Sequence, residues 1–385
     1  MKKIIILMVI ILLTGCFDNS TIDNKTGLEI ITHEINVYSN TKLSDIVKVN
    51  NGRLLDDFEI DTSKLKEEKI KVKYEINNTK KESVINIKVV DKEPPMIHGF
   101  STYNHILGTN FTFYNDIFIA DNYSTNLKKE LIGEYDVNVI GSYDVTLRVT
   151  DESGNYTVNN FKLNVVNPEP NNKKKNELIP LDSLEPLEEN TYYMVDVSKW
   201  EENINWKKVY DSGVHYAMIR LGTQKGVGGN SIIDEYYAKN IKEAKKAGLK
   251  VGIFYYSYAK SIDEAKEQAK WVIDTLDGEE LDLGVAFDWE CYNLFSGYNI
   301  NLHDLNNIAV TFLEEIKKSG YKSLFYASKS YLENTWDVNE YDIWLAHYTK
   351  KTDYKGKYIM WQFTSNASVP GIPGDVDLNI YYPNK

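Results

Sequence analysis

The chain has 385 residues, of which 42% are hydrophobic and 26% are charged, and its formal net charge at pH 7 is -12. This length accommodates two or three domains with ordinary hydrophobic cores. The acidic balance argues against nucleic acid as a partner, because binding a polyanion requires a basic surface. We expect a monomer.

The first residues have the pattern of a secretory signal. Two lysines precede an apolar run over 4–13, which is too short to span a membrane comfortably. The following Leu13-Thr14-Gly15-Cys16 resembles the bacterial lipoprotein box, in which the cysteine is lipidated and becomes the new N-terminus. The sequence therefore predicts a lipoprotein signal peptide over 1–15, a tether over 16–24 and lipidation of Cys16. An ordinary signal peptide with a chance cysteine is the alternative.

Lipidation would place the protein outside the cytoplasm, on the outer face of a bacterial cytoplasmic membrane. The bias toward lysine, isoleucine and asparagine suggests a Gram-positive source. Only Cys16 and Cys291 occur in the sequence, so no intrachain disulfide can form once Cys16 carries lipid. We expect Cys291 to be a buried structural thiol. The sequence has no zinc pattern, and neither a metal nor another cofactor is expected.

Residues 25–91 and 92–167 have the pattern of two all-β units. In each unit two runs of alternating apolar and polar residues flank a polar turn, which indicates half-buried antiparallel strands. The sequences of Gly141–Val145 and Thr150–Asn155 resemble those of bacterial Ig-like surface domains. The sequence therefore predicts Ig-like domain 1 over 25–91 and Ig-like domain 2 over 92–167. We expect both to act as spacers, with binding of a specific ligand as the alternative.

Residues 168–190 are predicted to be a linker. This segment contains four prolines, a run of three lysines and several acidic residues. Little of it can be buried, since it has many charges and few aromatic residues.

From Thr191 onward, strand and helix patterns alternate, with the helices mainly in the first half. Repeated strand-helix units imply a parallel sheet, and eight strands imply a barrel closed on itself. The predicted fold class is therefore multidomain: a C-terminal α/β irregular TIM-like (β/α) barrel over 191–385, preceded by two all-β Ig-like sandwiches. The eight strand candidates are Tyr193–Val197, Tyr216–Leu221, Val251–Tyr256, Gly284–Glu290, Lys322–Ala327, Ile343–Ala346, Tyr358–Phe363 and Val376–Tyr381.

The stretch 284–290 resembles a buried strand that ends in two carboxylates. Since side chains alternate across a strand, Asp288 and Glu290 are expected to point the same way. Mutual repulsion and partial burial disfavour both charges, so one of the two should keep its proton near neutral pH. A protonated acid beside an ionised one is suited to cleaving a glycosidic bond. A solvated acidic strand end is the alternative.

Polar and aromatic residues stand at the predicted C-terminal ends of the strands. In barrels of this kind that rim carries the functional site. Carboxylates from the first, fourth and last strands are expected to meet there, because the first and eighth strands are neighbours. Each acid alone has a structural salt bridge as its alternative role. The residues concerned are Asp196, Arg220, Tyr256, Asp288, Glu290, Tyr326, Trp344, Gln362 and Asp377.

Residues 191–385 resemble glycoside hydrolase family 25, the Chalaropsis-type lysozymes. The resemblance implies an irregular eight-stranded barrel that cuts the linkage between N-acetylmuramic acid and N-acetylglucosamine in peptidoglycan. It also implies an acidic cluster at Asp196, Asp288, Glu290 and Asp377. This chain departs from the family at Glu201, where glutamine is common, and at Phe254-Tyr255. The residues that carry the resemblance are Asp196-Val197-Ser198, Asn203–Trp206, Arg220, Ala247–Gly252, Asp288-Trp289-Glu290, Trp361-Gln362 and Val376–Asn379.

From the resemblance and the charges together, we expect Glu290 to be the general acid that protonates the leaving oxygen. Asp288, Asp196 and Asp377 would assist by stabilising the positive sugar that develops. Asp288 would either steer the 2-acetamido group of the substrate or act on water or sugar directly. The predicted substrate-binding residues are Arg220, Tyr256, Tyr326, Trp344, Trp361 and Gln362, and the aromatic ones have a core role as the alternative.

Two other functions compete with a lysozyme. A chitinase motif requires further aspartates before the second acid, and those positions hold Ala286 and Leu283, so that interpretation fails. The other rival is a catalytically weak, cell-wall-binding surface lipoprotein. Retention of all four acids argues against this loss of activity. The predicted partners are therefore peptidoglycan glycan strands and, through Cys16, a membrane.

Overall fold

The computed structural model describes residues 21–22, 27–168 and 177–385. The predicted signal peptide, the lipidation site Cys16, most of the tether and part of the linker lie outside these residues. The chain divides into two compact units, one ending at Lys92 and the other spanning 93–385. Within the described ranges, we find no helix that is both long enough and apolar enough to cross a membrane.

The first unit is almost entirely β structure, as predicted. Its main feature is a hairpin whose two central residues, Asn77 and Asn78, both have positive φ, which is the backbone that a tight hairpin turn needs. Apolar residues on one face of this hairpin enter a core with the short helix Leu43–Ile46. The strands are Thr21–Ile22, Leu28–Ile30, Glu34–Asn36, Val47–Val49, Gly52–Leu54, Lys66–Ile76 and Thr79–Val90.

The second unit begins with another β region, residues 93–168. Its four-stranded sheet is built around a second long hairpin, and the outer strand Thr102–Ile106 runs parallel to its neighbour. Alternate residues of the hairpin, including Leu147 and Leu163, are fully buried against Phe113. The strands of this region are Met96–Ile97, Thr102–Ile106, Ile119–Ala120, Lys128–Ile132, Gly141–Thr150 and Tyr156–Val166.

Residues 191–385 form the closed eight-stranded barrel that the sequence predicts. The first seven strands are parallel to their neighbours, and the eighth is antiparallel to both the seventh and the first, which closes the ring. In chain order, the barrel strands are Tyr192–Val197, Tyr216–Gln224, Lys250–Ser257, Gly284–Trp289, Ser323–Ser328, Asp342–Ala346, Met360–Ser368 and Val376–Tyr381.

The regular alternation of strands and helices in a TIM barrel does not continue around the whole of this barrel. α-Helices follow the first five strands, but the described residues after the sixth strand contain none. An antiparallel last strand requires no crossover helix, because it can return by a short loop. The helices are Trp206–Asp211, Tyr237–Ala247, Ile262–Leu276, Leu302–Lys318 and Lys329–Asn334, with short 3-10 turns at Leu181–Ser183, Lys199–Glu201 and Phe295–Gly297.

Side-chain alternation divides the barrel into an inner and an outer core. Met194, Met218 and Met360 fill the interior together with Leu324 and Phe254. The opposite faces of the same strands pack against the helices in a larger outer core. The barrel interior is therefore a packed hydrophobic core, and the polar functional groups lie at the rim above it.

The β region 93–168 packs directly on the barrel. Phe118 and Ala120 belong to the outer core of the barrel, and the amide of Leu302 donates to the carbonyl of Asp121 at 2.7 Å. In addition, Ile179–Pro180 pairs in parallel with Ala367–Ser368. Two residues of the predicted linker thus form an edge strand of the barrel sheet. The region predicted as a separate spacer shares one compact unit with the barrel.

Candidate active site

Four carboxylates meet at one rim of the barrel. Asp196 is the fifth residue of the first strand, Asp288 is near the end of the fourth, and Glu290 immediately follows that strand. Asp377 is placed differently from the expectation, because it is at the beginning of its strand and not at the end. The eighth strand is antiparallel, so its beginning lies at the same rim as the ends of the other strands.

Asp288 and Glu290 lie within hydrogen-bonding reach of each other if one of them holds a proton, and Asp288 Oδ1 is buried without a donor among the described residues. Burial, followed by the charge of Glu290, raises the pKa of Asp288 well above its ordinary value. Glu290 reaches solvent at the rim, yet loss of surrounding water also raises its pKa, while its hydrogen bond with Asp288 opposes this rise. The pair therefore shares a proton, and in the free protein the more buried Asp288 holds it more tightly.

Asp196 is buried and is held by two side-chain amides. Its Oδ2 accepts hydrogen bonds from Gln362 Nε2 at 3.0 Å and from Asn379 Nδ2 at 2.7 Å. Burial raises the pKa of Asp196 to about 7, although these two donors act to lower it. Asp196 consequently changes charge close to neutral pH, which is unusual for an aspartate.

Asp377 and Glu201 complete a group of five acids. Burial, with the charge of Asp196 next and that of Glu201 after it, raises the pKa of Asp377 to about 9. Its Oδ1 is buried and accepts no hydrogen bond within the described residues. Glu201 accepts from the amide of Ser198 at 2.6 Å, and burial raises its pKa as well. The sequence flagged Glu201 only as a departure from the family pattern, although it is three residues from a rim serine.

A chain of hydrogen bonds orients the groups around Asp196. Tyr326 and Tyr348 both donate to Gln362 Oε1, at 2.9 and 3.0 Å. Trp344 donates to Asn379 Oδ1 at 2.7 Å. The donor ends of both amides therefore face Asp196, and rotation of either amide would disrupt three contacts. Gln362 thus contacts Asp196 directly, and Trp344 acts on Asp196 through Asn379.

Asn379 was not predicted as a site residue. Two positions separate it from Asp377 on the same strand, so alternation places both on the same face. The i, i+2 spacing from Asp377 is therefore the sequence signal that could have identified Asn379. Tyr348 lies beyond the sixth strand in a segment without regular structure, and no periodic pattern marks it.

Arg220 is engaged by another residue. Its Nε and one terminal nitrogen contact Asp234 Oδ2 at 2.8 and 2.7 Å, and both side chains are largely buried. Asp234 also accepts from the amides of Lys199 and Tyr236. Arg220 lowers the pKa of Asp288 through its charge. The direct substrate contact predicted for Arg220 does not fit this arrangement, because its guanidinium is committed to a buried ion pair.

The remaining predicted aromatic residues fall into two groups. Tyr256 and Tyr326 flank Asp288 in register on the neighbouring strands, and burial raises the pKa of both hydroxyls. Trp361 instead packs in the outer core and donates to the carbonyl of His347 at 2.9 Å. A stacking role for Trp361 is therefore not compatible with its position. Trp200, which was not predicted, is 74% exposed just beyond the first strand.

Cys291 follows Glu290 but takes no part in the acid cluster. Its side chain is buried and donates to the carbonyl of Ser257 at 3.5 Å. Burial raises the pKa of this thiol to about 12, so the reactive thiolate is scarce at neutral pH. The placement agrees with a structural thiol.

Taken together, the rim presents buried acids whose pKa values extend from near neutral upward, next to one solvent-reaching glutamate. Such a set can hold a proton ready for donation while other carboxylates face a developing positive charge. The same features accompany cleavage of glycosidic bonds, in which one carboxyl acts as acid and a second acts on the sugar or on water.

Residues 195–372 match the description of glycosyl hydrolases family 25. This range contains Asp196, Asp288 and Glu290 and stops five residues before Asp377.

Two curated relatives and one solved structure are similar to part of this chain. The uncharacterized protein YegX of Escherichia coli K12 is 26% identical over 196 residues, which are 50% of this chain and 70% of YegX. The autolytic lysozyme of Clostridium acetobutylicum is 24% identical over 188 residues, covering 48% of this chain and 54% of the lysozyme. The modular autolysin LytC of Streptococcus pneumoniae, solved with a synthetic peptidoglycan ligand, aligns with a TM-score of 0.45 and 23% identity. That alignment covers 62% of this chain, which spans 56% of the autolysin's length.

Proposed function

We propose that this chain, whose residues 195–372 match the model of glycosyl hydrolases family 25, is a member of that family and a lysozyme. It would hydrolyse the bond between N-acetylmuramic acid and N-acetylglucosamine in peptidoglycan. The observation that carries the proposal is the pair of Asp288 and Glu290, which lie within hydrogen-bonding reach at the barrel rim and whose pKa values are both raised. Curated relatives of this domain include an enzyme named autolytic lysozyme.

In the proposed mechanism, Glu290 is the general acid, because it is the member of the pair that reaches solvent and can contact a sugar. The free protein keeps the shared proton mainly on Asp288, so the proton must pass to Glu290 when substrate binds. Transfer within an existing hydrogen bond requires no rearrangement of the chain. Asp288, once ionised, then faces the reacting sugar.

The other acids would act on the charge that develops. Cleavage passes through an oxocarbenium-like sugar, whose positive charge is stabilised by nearby carboxylates. Asp196 is ionised above a pH of about 7 and is held in place by Gln362 and Asn379. Asp377 has a pKa of about 9, so at neutral pH it is protonated and could donate a hydrogen bond to a sugar hydroxyl.

We also propose that the enzyme acts from the outer face of a bacterial cytoplasmic membrane, anchored by lipid on Cys16. This proposal is supported by the resemblance of Leu13-Thr14-Gly15-Cys16 to the bacterial lipoprotein box. An anchored lysozyme would meet the peptidoglycan layer from the membrane side.

The experiment is digestion of purified peptidoglycan, followed by reduction of the new ends and mass spectrometry. A muramidase leaves reduced muramic acid ends, whereas a glucosaminidase leaves reduced glucosamine ends. Glu290→Gln should keep the fold and lower the rate by about 10²- to 10⁴-fold, because an amide cannot donate the proton. Glu267→Gln, on an exposed helix position, is the matched control and should retain full activity.

Two results would contradict the proposal. Reduced glucosamine ends would identify a different bond, and a Glu290→Gln protein with a rate within a few-fold of the parent would remove Glu290 from its role. Absence of any cleavage by the folded parent would favour the wall-binding alternative.

A further inference from the structure

The loop that follows Glu290 is held by the β region 93–168, which lies outside the family match. The loop spans 291–301 and connects the fourth barrel strand to the helix Leu302–Lys318. Glu290, the proposed general acid, immediately precedes this loop, and Tyr292 and Phe295 within the loop belong to a cluster of aromatic rings. Whatever fixes this loop therefore also fixes the position of Glu290.

Phe118 of the β region inserts among three aromatic rings of the barrel. Its ring lies edge-on to Tyr292 at 5.2 Å, to Phe295 at 5.0 Å and to Tyr331 at 5.7 Å between centroids. Tyr292 and Phe295 are both in the loop after Glu290, and Phe118 is only 5% exposed. Edge-to-face contacts of this kind stabilise the packing beyond the burial of the rings alone.

One ring that Phe118 contacts packs directly against Trp289, the residue before Glu290. Tyr292 packs edge-on against Trp289 at 5.2 Å, and its hydroxyl accepts from Trp336 Nε1 at 2.9 Å. Trp289 in turn is fully buried and donates to the carbonyl of Ala259 at 3.0 Å. Glu290 thus sits between Trp289 and a loop whose aromatic side chains are packed from outside the barrel.

Two further contacts fix the far side of the loop and of the aromatic cluster. Asn301 Nδ2 donates to the carbonyl of Tyr123 at 2.9 Å, at the point where the loop enters its helix. His98 stacks on Tyr331 with 4.4 Å between centroids, and Tyr331 stacks on Tyr292. The β region therefore touches the loop at its beginning, through Phe118, and at its end, through Tyr123.

We infer that the β region 93–168 is a structural part of the catalytic unit, and that Phe118 is a positioning residue that holds the Glu290 loop in its productive geometry. This inference rests on the proposed role of Glu290. A misplacement of about 1 Å in a catalytic group can cost on the order of 10²-fold in rate. Phe118 is buried, so it acts through the three rings that it contacts, those of Tyr292, Phe295 and Tyr331.

The test compares two equally buried phenylalanines of the same β region in the full chain. Phe118→Ala should lower kcat on soluble peptidoglycan fragments by on the order of 10- to 100-fold, with little change in KM. Phe161→Ala is the matched control, because Phe161 is 4% exposed and its ring contacts are Phe100 and Phe113 of its own region. Phe118→Leu should restore most of the lost kcat.

Two more measurements separate positioning from a general loss of stability. Phe118→Ala should admit water beside Glu290 and shift the alkaline limb of the kcat/KM profile to lower pH, whereas Phe161→Ala should not. Amide hydrogen exchange over 291–301 should be faster in Phe118→Ala than in Phe161→Ala. If either alanine variant fails to fold, the pair Phe118→Val and Phe161→Val gives the same comparison, because valine still removes the ring that packs against the loop.

Equal kcat, equal alkaline limbs and equal exchange in the two variants would overturn the inference. If the parent cleaves no peptidoglycan, the proposed function fails, and the exchange measurement still decides whether Phe118 holds the loop. Unchanged exchange over 291–301 in Phe118→Ala would then reject the positioning role by itself.

Discussion

Asp196 and Asp377 lie directly opposite each other on the antiparallel first and eighth barrel strands. Side chains at directly opposed positions share one face of a sheet and approach within a few ångströms, so two like charges there repel. The protein tolerates the pair because burial and mutual repulsion keep at least one of them protonated near neutral pH, as the pKa values of about 7 and about 9 indicate. Because ionising these two aspartates in the folded state is unfavourable, the free energy of unfolding should depend on pH.

The first prediction concerns Asp196→Asn. The pKa of Asp196 rises from 3.8 to about 7 on folding, so the folded state binds the proton more tightly. The stabilisation is full below a pH of about 4 and is lost as pH rises toward 7. Asparagine keeps an oxygen that accepts from Gln362 and Asn379 but never becomes charged.

Asp196→Asn should therefore raise the free energy of unfolding at pH 8 by about 2–4 kcal/mol relative to the parent, at about 1.4 kcal/mol per unit of pKa, while lowering activity. Urea unfolding at pH 4.5 and pH 8 measures the difference, and Asp274→Asn, on an exposed helix position, is the control. A parent whose stability is the same at both pH values would contradict the assignment of a raised pKa to Asp196.

The second prediction concerns Glu201→Gln. The charge of Glu201 raises the pKa of Asp196 and of Asp377, and glutamine keeps an oxygen that can accept from the amide of Ser198. Removal of the charge should move the titration of both aspartates to lower pH without loss of the fold. Carboxyl-carbon NMR titration of the parent and the variant measures this directly. Unchanged titration midpoints would show that Glu201 is too well solvated to act on its neighbours.

The third prediction distinguishes two roles of Arg220. If the ion pair with Asp234 is structural, Arg220→Met leaves a buried carboxylate without its partner and should destabilise the protein by about 3–5 kcal/mol. Arg220→Lys keeps the charge but loses the two-nitrogen contact with Asp234, so an intermediate loss is expected. Chemical unfolding measures both. An unchanged free energy of unfolding together with a strongly raised KM would restore the substrate-binding role that the sequence predicted.

The fourth prediction concerns where the chain can be shortened. A chain of residues 93–385 corresponds to one compact unit and should cut soluble peptidoglycan fragments at a rate within a few-fold of the full chain. A chain of residues 188–385 exposes the barrel face that Phe118 and Ala120 cover. It should be less stable and slower. Thermal unfolding and fragment digestion of the two chains provide the comparison, and equal activity of both would show that the β region is only a spacer.

The fifth prediction concerns anchoring. Cys16→Ser should release the protein from membranes or leave its first residues uncleaved, because the lipid would supply most of the attachment. Fractionation of cells and metabolic labelling with a fatty acid measure this outcome. A parent that carries no lipid label, with unchanged membrane association in the variant, would reject the lipoprotein proposal.

The sequence by itself determined the local features of this protein. Alternation with a period of two placed Asp288 and Glu290 together at the end of a buried strand, and the spacing of eight strands indicated a closed barrel. The turn at Asn77 and Asn78 was likewise readable, because the tight reversal of a hairpin depends on a few adjacent residues. Each of these features is set by neighbours along the chain, and such neighbours are visible in the sequence.

The tertiary structure decided which distant groups became partners. The antiparallel course of the last strand brought the beginning of that strand, with Asp377, to the same rim as Asp196. Arg220 paired with Asp234, and Phe118 packed beside the loop of Glu290, more than 170 residues further along. No periodic pattern in the sequence specifies these long-range contacts. Many well-packed apolar contacts and paired charges would stabilise the fold, and the packing of all elements together determines which of them form.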